Sequence, residues 1–299
     1  CIHTWPSHPY EYLVEEIKRR KWNNQCIGLE MDSHYFTAYC YEKIKQGLPN
    51  AKIKDSERLV NWVRLVKSNA EIDLMRIASK ITEKGMKTAI ESINPGVRQC
   101  DAVAEIQKSL IGGTPEFGGD YSGIVPLLPT GKGTSASHLT WTEEKFIKGE
   151  ATIVELAGVY KKYNCPMART IMLGKADQKK IDTMKATNEA LDSGISEIKP
   201  GKTCDEVAQK FWKVLDKYGI KKNSRTGYSI GIGYPPDWGE HTLNIQKGDK
   251  TILQPNVTFH MIAVMQFGNW GAHSSESIRV TEKGYELFCD FSREWHIKE

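Results

Sequence analysis

Glu155 is a carboxylate set among apolar residues in the stretch TIVELAGVYKKYNCPMARTIML, positions 152–173. Burial makes an ionised carboxylate costly unless something pairs with it, and it raises the pKa while strengthening any contact made. Such a setting suits a nucleophile or an acid–base group. The residue fits equally well on the polar face of an edge strand, or as one half of a structural ion pair with Arg169. Three histidines add the means to move protons. His241 ends the string GYSIGIGYPPDWGEH, positions 227–241, which reads as a loop carrying Tyr, Trp, Asp, Glu and His. Loops of that make-up commonly bind ligands, although the aromatics also suit a tight turn whose gaps need filling. His260 lies in the β-type run NVTFHMIAVMQF, positions 256–267, where a histidine is either a hydrogen-bonded core residue or a site residue. His138, next to Thr140 and Trp141, fits a substrate-facing imidazole or a turn residue in water.

Strands must position most of these groups. Two β-type runs flank the basic pair Lys161–Lys162, which predicts a hairpin over 152–173. The apolar segment 121–128 also reads as strand-like, 273–281 as a strand containing Glu276, and 283–291 as a closing helix. Helical periodicity is present at 9–20, with Tyr12, Leu13 and Ile17 on one face, at 35–45, and in amphipathic form at 57–66. Short extended runs at 26–30 and 51–53 alternate with these helices, which implies a small α/β unit. Ser68-Asn-Ala-Glu71 is a capping box that starts a long helix to about Ser92, with Ile72, Met75, Ile77 and Ile81 inward. The domain boundary is placed there, giving 1–67 and 68–299. Beginning at Cys1 rather than Met, the first unit reads as truncated.

An internal repeat organises the second unit. INPGVRQCD at 93–101 recurs as IKPGKTCD at 198–205, one residue shorter, and each copy lies between two helical stretches. Thr203 and Glu206 give the second copy its own capping box. Two halves related by a pseudo-twofold axis would place a site where their strands converge.

Bulk properties exclude several classes. With 39% hydrophobic and 26% charged residues the chain is of soluble globular type, and 41 basic against 37 acidic residues leave only +4, spread along the sequence. This does not suit nucleic acid or an anionic membrane surface as a partner. No apolar run approaches the ~20 residues of a membrane span. The loop at 130–138 lacks phosphate-loop spacing and the glycines at 227–233 precede no helix pattern, so nucleotide binding is not indicated. Seven scattered cysteines without paired spacing indicate a reducing compartment, the cytoplasm by default.

The order of these motifs resembles the creatinase/aminopeptidase P superfamily, and within it the ectoine hydrolase family. The resemblance rests on Glu155-Leu-Ala-Gly158, Tyr163-Asn-Cys-Pro166 with Arg169-Thr170, the string from Tyr234 to His241, Thr258-Phe-His260, and Gly28-Leu-Glu-Met-Asp32 with Tyr35-Phe36. Departures are Asn164, where histidine is expected, and the segment 263–273. The resemblance implies an α+β chain: a duplicated pita-bread catalytic domain behind a smaller α/β N-terminal domain, assembled as a homodimer. Metal-dependent members hold two ions with five ligands, whose positions fall here at Glu155, Pro166, Tyr228, about Ile262, and Glu276. Proline and isoleucine offer no side-chain ligand and two carboxylates make a poor dinuclear cage, so neither metal nor other cofactor is expected. The implied reaction is metal-independent hydrolysis of a cyclic amidine, ectoine, to N-acetyl-2,4-diaminobutyrate. It would proceed through a covalent ester on Glu155, with His241 and His260 moving protons. Implied substrate-binding residues are His138, Trp141, Tyr163, Cys165, Tyr228, Tyr234, Asp237, Trp238, Glu240 and Glu276. Alternatives are a related C–N hydrolase for another amidinium or guanidinium compound, and an inactive pita-bread module that binds peptides or histones.

Overall fold

The computed structural model describes residues 8–298, which fall into two units, Cys1–Val63 and Arg64–Glu299. In the first, His8 caps α1 (Pro9–Arg19) by accepting from the Tyr10 N–H, with proline at the helix start. Val14 and Ile17 are its buried residues, whereas Tyr12 and Leu13, expected inward, are exposed. A 3.6-residue period puts 10, 14 and 17 on one stripe, which leaves 12 and 13 outside it. Strand β1 (Cys26–Leu29) pairs in parallel with β2 (Lys52–Asp55), and α2 (Ala38–Gly47) makes the crossover. The helix expected over 57–66 is only α3 (Leu59–Arg64), with none of its residues buried.

In the second unit the Ser68 box forms as expected and starts α4 (Asn69–Ser92), with Ile72, Met75 and Ile81 buried. Helix α5 (Gln99–Gly112) follows, then the hairpin of β3 (Ala151–Tyr160) and β4 (Tyr163–Leu173), turning at Lys161–Lys162. The order then repeats: α6 (Gln178–Ser196), α7 (Cys204–Lys217) with its Thr203 capping box, the hairpin β5 (Gly227–Tyr234) and β6 (Asp237–Asn244), and β7 (Thr258–Gln266) with β8 (Gly271–Val280). Short β9 (Tyr285–Leu287) and β10 (His296–Lys298) complete a sheet ordered β10-β4-β5-β7-β8-β9, with β3 on β4 and β6 on β5.

The duplication extends to individual hydrogen bonds. Gly96 and Gly201 both have positive φ (85° and 87°), the conformation that favours glycine in each Pro-Gly turn. Their N–H groups donate at 2.9 Å to Phe146 and Leu253 respectively. Phe146 stands as far before β3 as Leu253 stands before β7, so the symmetry matches Glu155 on β3 with Ile262 on β7. Helix α4 packs on β3 and β4, and α6 on β7 and β8, giving one hydrophobic core per half.

Three expectations fail in this unit. Segment 121–128 is irregular, joined to β3 by an isolated bridge from Leu127 to Glu155. The string 227–241 is a twisted hairpin rather than a loop, and it turns at Pro235–Pro236. Residues 283–291 form β9 and an irregular run instead of a helix: Glu286 bonds Arg76 and Arg279, while Phe288 and Cys289 enter the first core.

Gly158 sets how closely α4 approaches β3. A Cβ there would lie 2.4 Å from both the Ala78 carbonyl oxygen and the Thr82 nitrogen, and the Gly158 N–H donates to Thr82 Oγ1 at 2.9 Å. Gly158→Ala is expected to cost about 1–3 kcal/mol, read as a fall of several degrees in thermal unfolding. An unchanged Tm would show that helix and strand separate freely.

Candidate active site

Strand alternation decides which side chains meet. On β3, Ile153 and Glu155 face a cavity while Val154 and Leu156 join the α4 core. On β7, Ile262, Val264 and Gln266 face the same cavity, and Phe259, Met261 and Ala263 join the α6 core. His273 lies opposite Val264 across β7 and β8, and so reaches the cavity too. The cavity holds about 540 Å³, a small-molecule volume, and is further lined by His138, Arg225, Tyr228, Asp237 and Trp238. A larger depression, about 680 Å³, lies over α7, where Lys202 pairs with Glu197 and Glu206.

Glu155 is 9% exposed. Its Oε1 lies 3.9 Å from His260 Nδ1 and its Oε2 lies 3.6 Å from His273 Nδ1. Burial, reinforced by the charge of Asp237, pushes its pKa up to about 8. Burial acts oppositely on the imidazoles: His260 falls well below its ordinary range and His273 is pushed down to about 3. Both are therefore neutral, and neither gives Glu155 a counter-ion. Among the described residues no lysine or arginine lies within ion-pair distance of Glu155, and Arg169, its suggested partner, pairs elsewhere.

A chain of hydrogen bonds stands behind Glu155. Ser275 Oγ accepts the Ala168 N–H at 2.7 Å and shares a hydrogen bond of 2.6 Å with His260 Nε2. His260 Nδ1 and Tyr228 Oη share a second hydrogen bond of 3.0 Å, whose direction follows the imidazole tautomer. Trp238 Nε1–H donates to the same oxygen at 2.8 Å. In the tautomer with the proton on His260 Nδ1, both lone pairs of Tyr228 are engaged and its phenol hydrogen is free for the cavity. Burial raises the Tyr228 pKa further, so the group stays a donor.

Of the residues expected at the site, Glu155, His138, Tyr228, Asp237 and Trp238 line the cavity, and His260 stands directly behind Tyr228. The remainder lie elsewhere. Tyr163 and Cys165 are on the α4 face of β4, where Tyr163 Oη donates to Glu71 Oε1 at 2.7 Å. Trp141 packs on the first core, and Tyr234 is exposed at the hairpin tip. Glu240 is buried against Lys67 Nζ at 2.6 Å. His241 Nε2 meets Asp237 Oδ2 at 3.0 Å and reaches the cavity only through that carboxylate. Glu276 lies opposite Met261, on the face turned away, and pairs with Arg169 at 2.9 Å. Its neighbour Ser275 takes the site-facing place. Asn164 accepts from Ser122 and Gly123, and so secures the segment that brings Ile124 and Val125 to the cavity wall. His273 and Arg225 were missed. His273 begins a run that reads as a strand, but the register that sets it opposite Val264 is not written in local sequence, and Arg225 left no signal beyond its charge.

The chain belongs to metallopeptidase family M24, whose profile it matches over residues 73–282, and residues 1–66 match the Creatinase/Prolidase N-terminal domain. It is thus a pita-bread protein of the creatinase/aminopeptidase P superfamily and a hydrolase acting on C–N bonds. It is 42% identical over 298 residues to ectoine hydrolase of Halomonas elongata, a match covering 97% of this chain and 75% of that one. It is 35% identical over 298 residues to an uncharacterised hydrolase/peptidase of Sinorhizobium fredii, covering 100% and 76%. In fold it is similar to a prolidase from Thermococcus sibiricus, with a TM-score of 0.86 at 19% identity over 98% of this chain and 77% of that one.

The family's name implies a metal, and the donor set here does not fit one. Glu155 is the one carboxylate that the five aligned positions offer to the cavity, since Glu276 faces Arg169 and Tyr228, Pro166 and Ile262 supply no carboxylate or imidazole. Among the described residues no helix is long and apolar enough to cross a membrane.

Proposed function

We propose that this chain hydrolyses ectoine, a cyclic amidine bearing a carboxylate, without a metal and through a covalent ester on Glu155. The observation that carries the reading is the buried Glu155 carboxylate, which among the described residues has no lysine or arginine within ion-pair distance, in a cavity walled by Tyr228 and Trp238. A ligand amidinium supplies the missing charge, draws the Glu155 pKa back down, and so ionises its own nucleophile. The aromatic faces favour a delocalised cation.

Glu155 adds to the amidinium carbon, forming a C–O bond while the C=N π pair moves to a ring nitrogen. The Tyr228 hydrogen stabilises the new lone pair. Water then attacks the Glu155 carbonyl carbon, breaking its bond to the ester oxygen and restoring the carboxylate. The hydroxyl left on the former amidinium carbon gives its proton to one ring nitrogen, which departs as the amine while the carbon becomes an acetamide. One water is consumed and one C–N bond is broken. His260 and His273, both neutral, flank the carboxylate through which water must approach.

Incubation of metal-stripped protein with ectoine, with mass spectrometry of product and protein, tests this reading. Ring-opened product and an adduct on Glu155 are expected. Turnover only after a divalent metal is added would overturn the mechanism, and binding of basic peptides without turnover would favour the inactive module. Tyr228→Phe keeps the ring but removes the hydrogen, and should lower kcat about 10²- to 10³-fold with little change in KM.

A further inference from the structure

We infer that Arg225 is the anchor for the carboxylate of the substrate, so that the cavity reads a small zwitterion by both of its charges. The inference rests on the proposed amidine chemistry for the other pole. Among the described residues Arg225 is the only lysine or arginine lining the cavity, and it enters from the segment before β5, whereas Glu155 stands on β3. Among the described residues no carboxylate lies within ion-pair distance of Arg225, and no lysine or arginine within that distance of Glu155. The second cavity carboxylate, Asp237, already meets His241. A carboxyl group and a guanidinium are thus held in one cavity, neither paired with an opposite charge of the protein, and a ligand carrying both charges would satisfy them together.

The guanidinium is also held in place. It lies 4.4 Å from the centre of the Tyr228 ring, and its Nη1 donates to Asn244 Oδ1 at 2.7 Å. The Arg225 carbonyl accepts from Lys222 Nζ at 2.9 Å, which steadies the backbone on that side. Stacking and one hydrogen bond fix the plane of the fork while other N–H groups remain to receive a carboxylate, and such preorganisation lowers the entropy cost of binding. Tyr228 thereby stands between the two poles, with its face under Arg225 and its hydroxyl on His260 Nδ1, which lies 3.9 Å from Glu155 Oε1.

The test compares ectoine with the same methyl-substituted cyclic amidine lacking the carboxylate, using wild-type protein, Arg225→Gln and Arg225→Lys. Arg225→Gln is expected to raise KM for ectoine roughly 10- to 100-fold, as loss of a charge-assisted hydrogen bond implies, with kcat within about twofold. Arg225→Lys should recover part of that loss, because it returns the charge without the fork. For the ring without a carboxylate, all three proteins should behave alike. An unchanged KM for ectoine in Arg225→Gln, or an equal loss with both rings, overturns the inference. Calorimetric binding separates it from the proposed function. Wild type binding both rings equally overturns the Arg225 assignment and leaves the amidine reading intact. Tighter binding of the carboxylate-bearing ring, erased in Arg225→Gln, supports the assignment even if turnover fails. Binding of neither ring overturns both.

Discussion

Glu155→Gln is expected to abolish ectoine turnover, by about 10⁴-fold or more, as loss of a covalent nucleophile does elsewhere. The same substitution should stabilise the protein at neutral and alkaline pH. Glutamine has the shape of the protonated acid, and the folded wild type holds that acid with a pKa of about 8 against an ordinary 4.5. The sign follows from this. Below pH 4.5 folded and unfolded chains both keep the proton, so wild type and variant should melt together. As pH rises toward 8 the unfolded chain releases a proton that the folded one retains, and wild-type stability falls by an amount on the order of a few kcal/mol. Above pH 8 the difference is constant. Melting curves at pH 4, 6 and 8 should separate progressively, with the variant higher. Identical curves throughout would mean that Glu155 is solvated and that the cavity is not dry. For the wild-type enzyme, kcat/KM should climb with pH toward 8 as free Glu155 ionises, then fall as the substrate loses its amidinium proton.

Glu276→Ala should produce the largest loss of stability. Arg169 uses all its donors: Nε to the Ser292 carbonyl, Nη1 to those of Ala168 and Ser275, Nη2 to that of Phe291 and to Glu276. Arg293 Nε also approaches Glu276, at 3.3 Å. Removing the carboxylate leaves a buried guanidinium without its counter-charge, a change that costs about 3–5 kcal/mol. Thermal unfolding should fall by roughly 10 °C or more, given a few degrees per kcal/mol in a unit of this size. Replacing Arg169 and Glu276 together by apolar residues should not restore stability, because four carbonyls lose their donor. A double variant as stable as wild type would show those carbonyls to be hydrated. If instead Glu276→Ala folded normally but lost affinity for ectoine, Glu276 would be a substrate ligand after all.

Local sequence determined a good part of this protein. The capping boxes at Ser68 and Thr203, the repeated Pro-Gly turns and the hairpin around Lys161–Lys162 are short-range features, and each forms where its residues predict. The duplication follows from the repeat, and it places Glu155 among strands of both halves. Tertiary structure alone decided which side chains face one another. Strand neighbours point to opposite faces, so a shift of one residue separates Ser275, at the site, from Glu276, buried against Arg169. The same parity removes Tyr163 and Cys165 from the cavity and brings in His273. The placing of Arg225 and of the Tyr228 hydroxyl depends on contacts between segments remote in sequence. No local pattern encodes them, because a charge or a hydroxyl takes its role from the partner that the fold sets beside it.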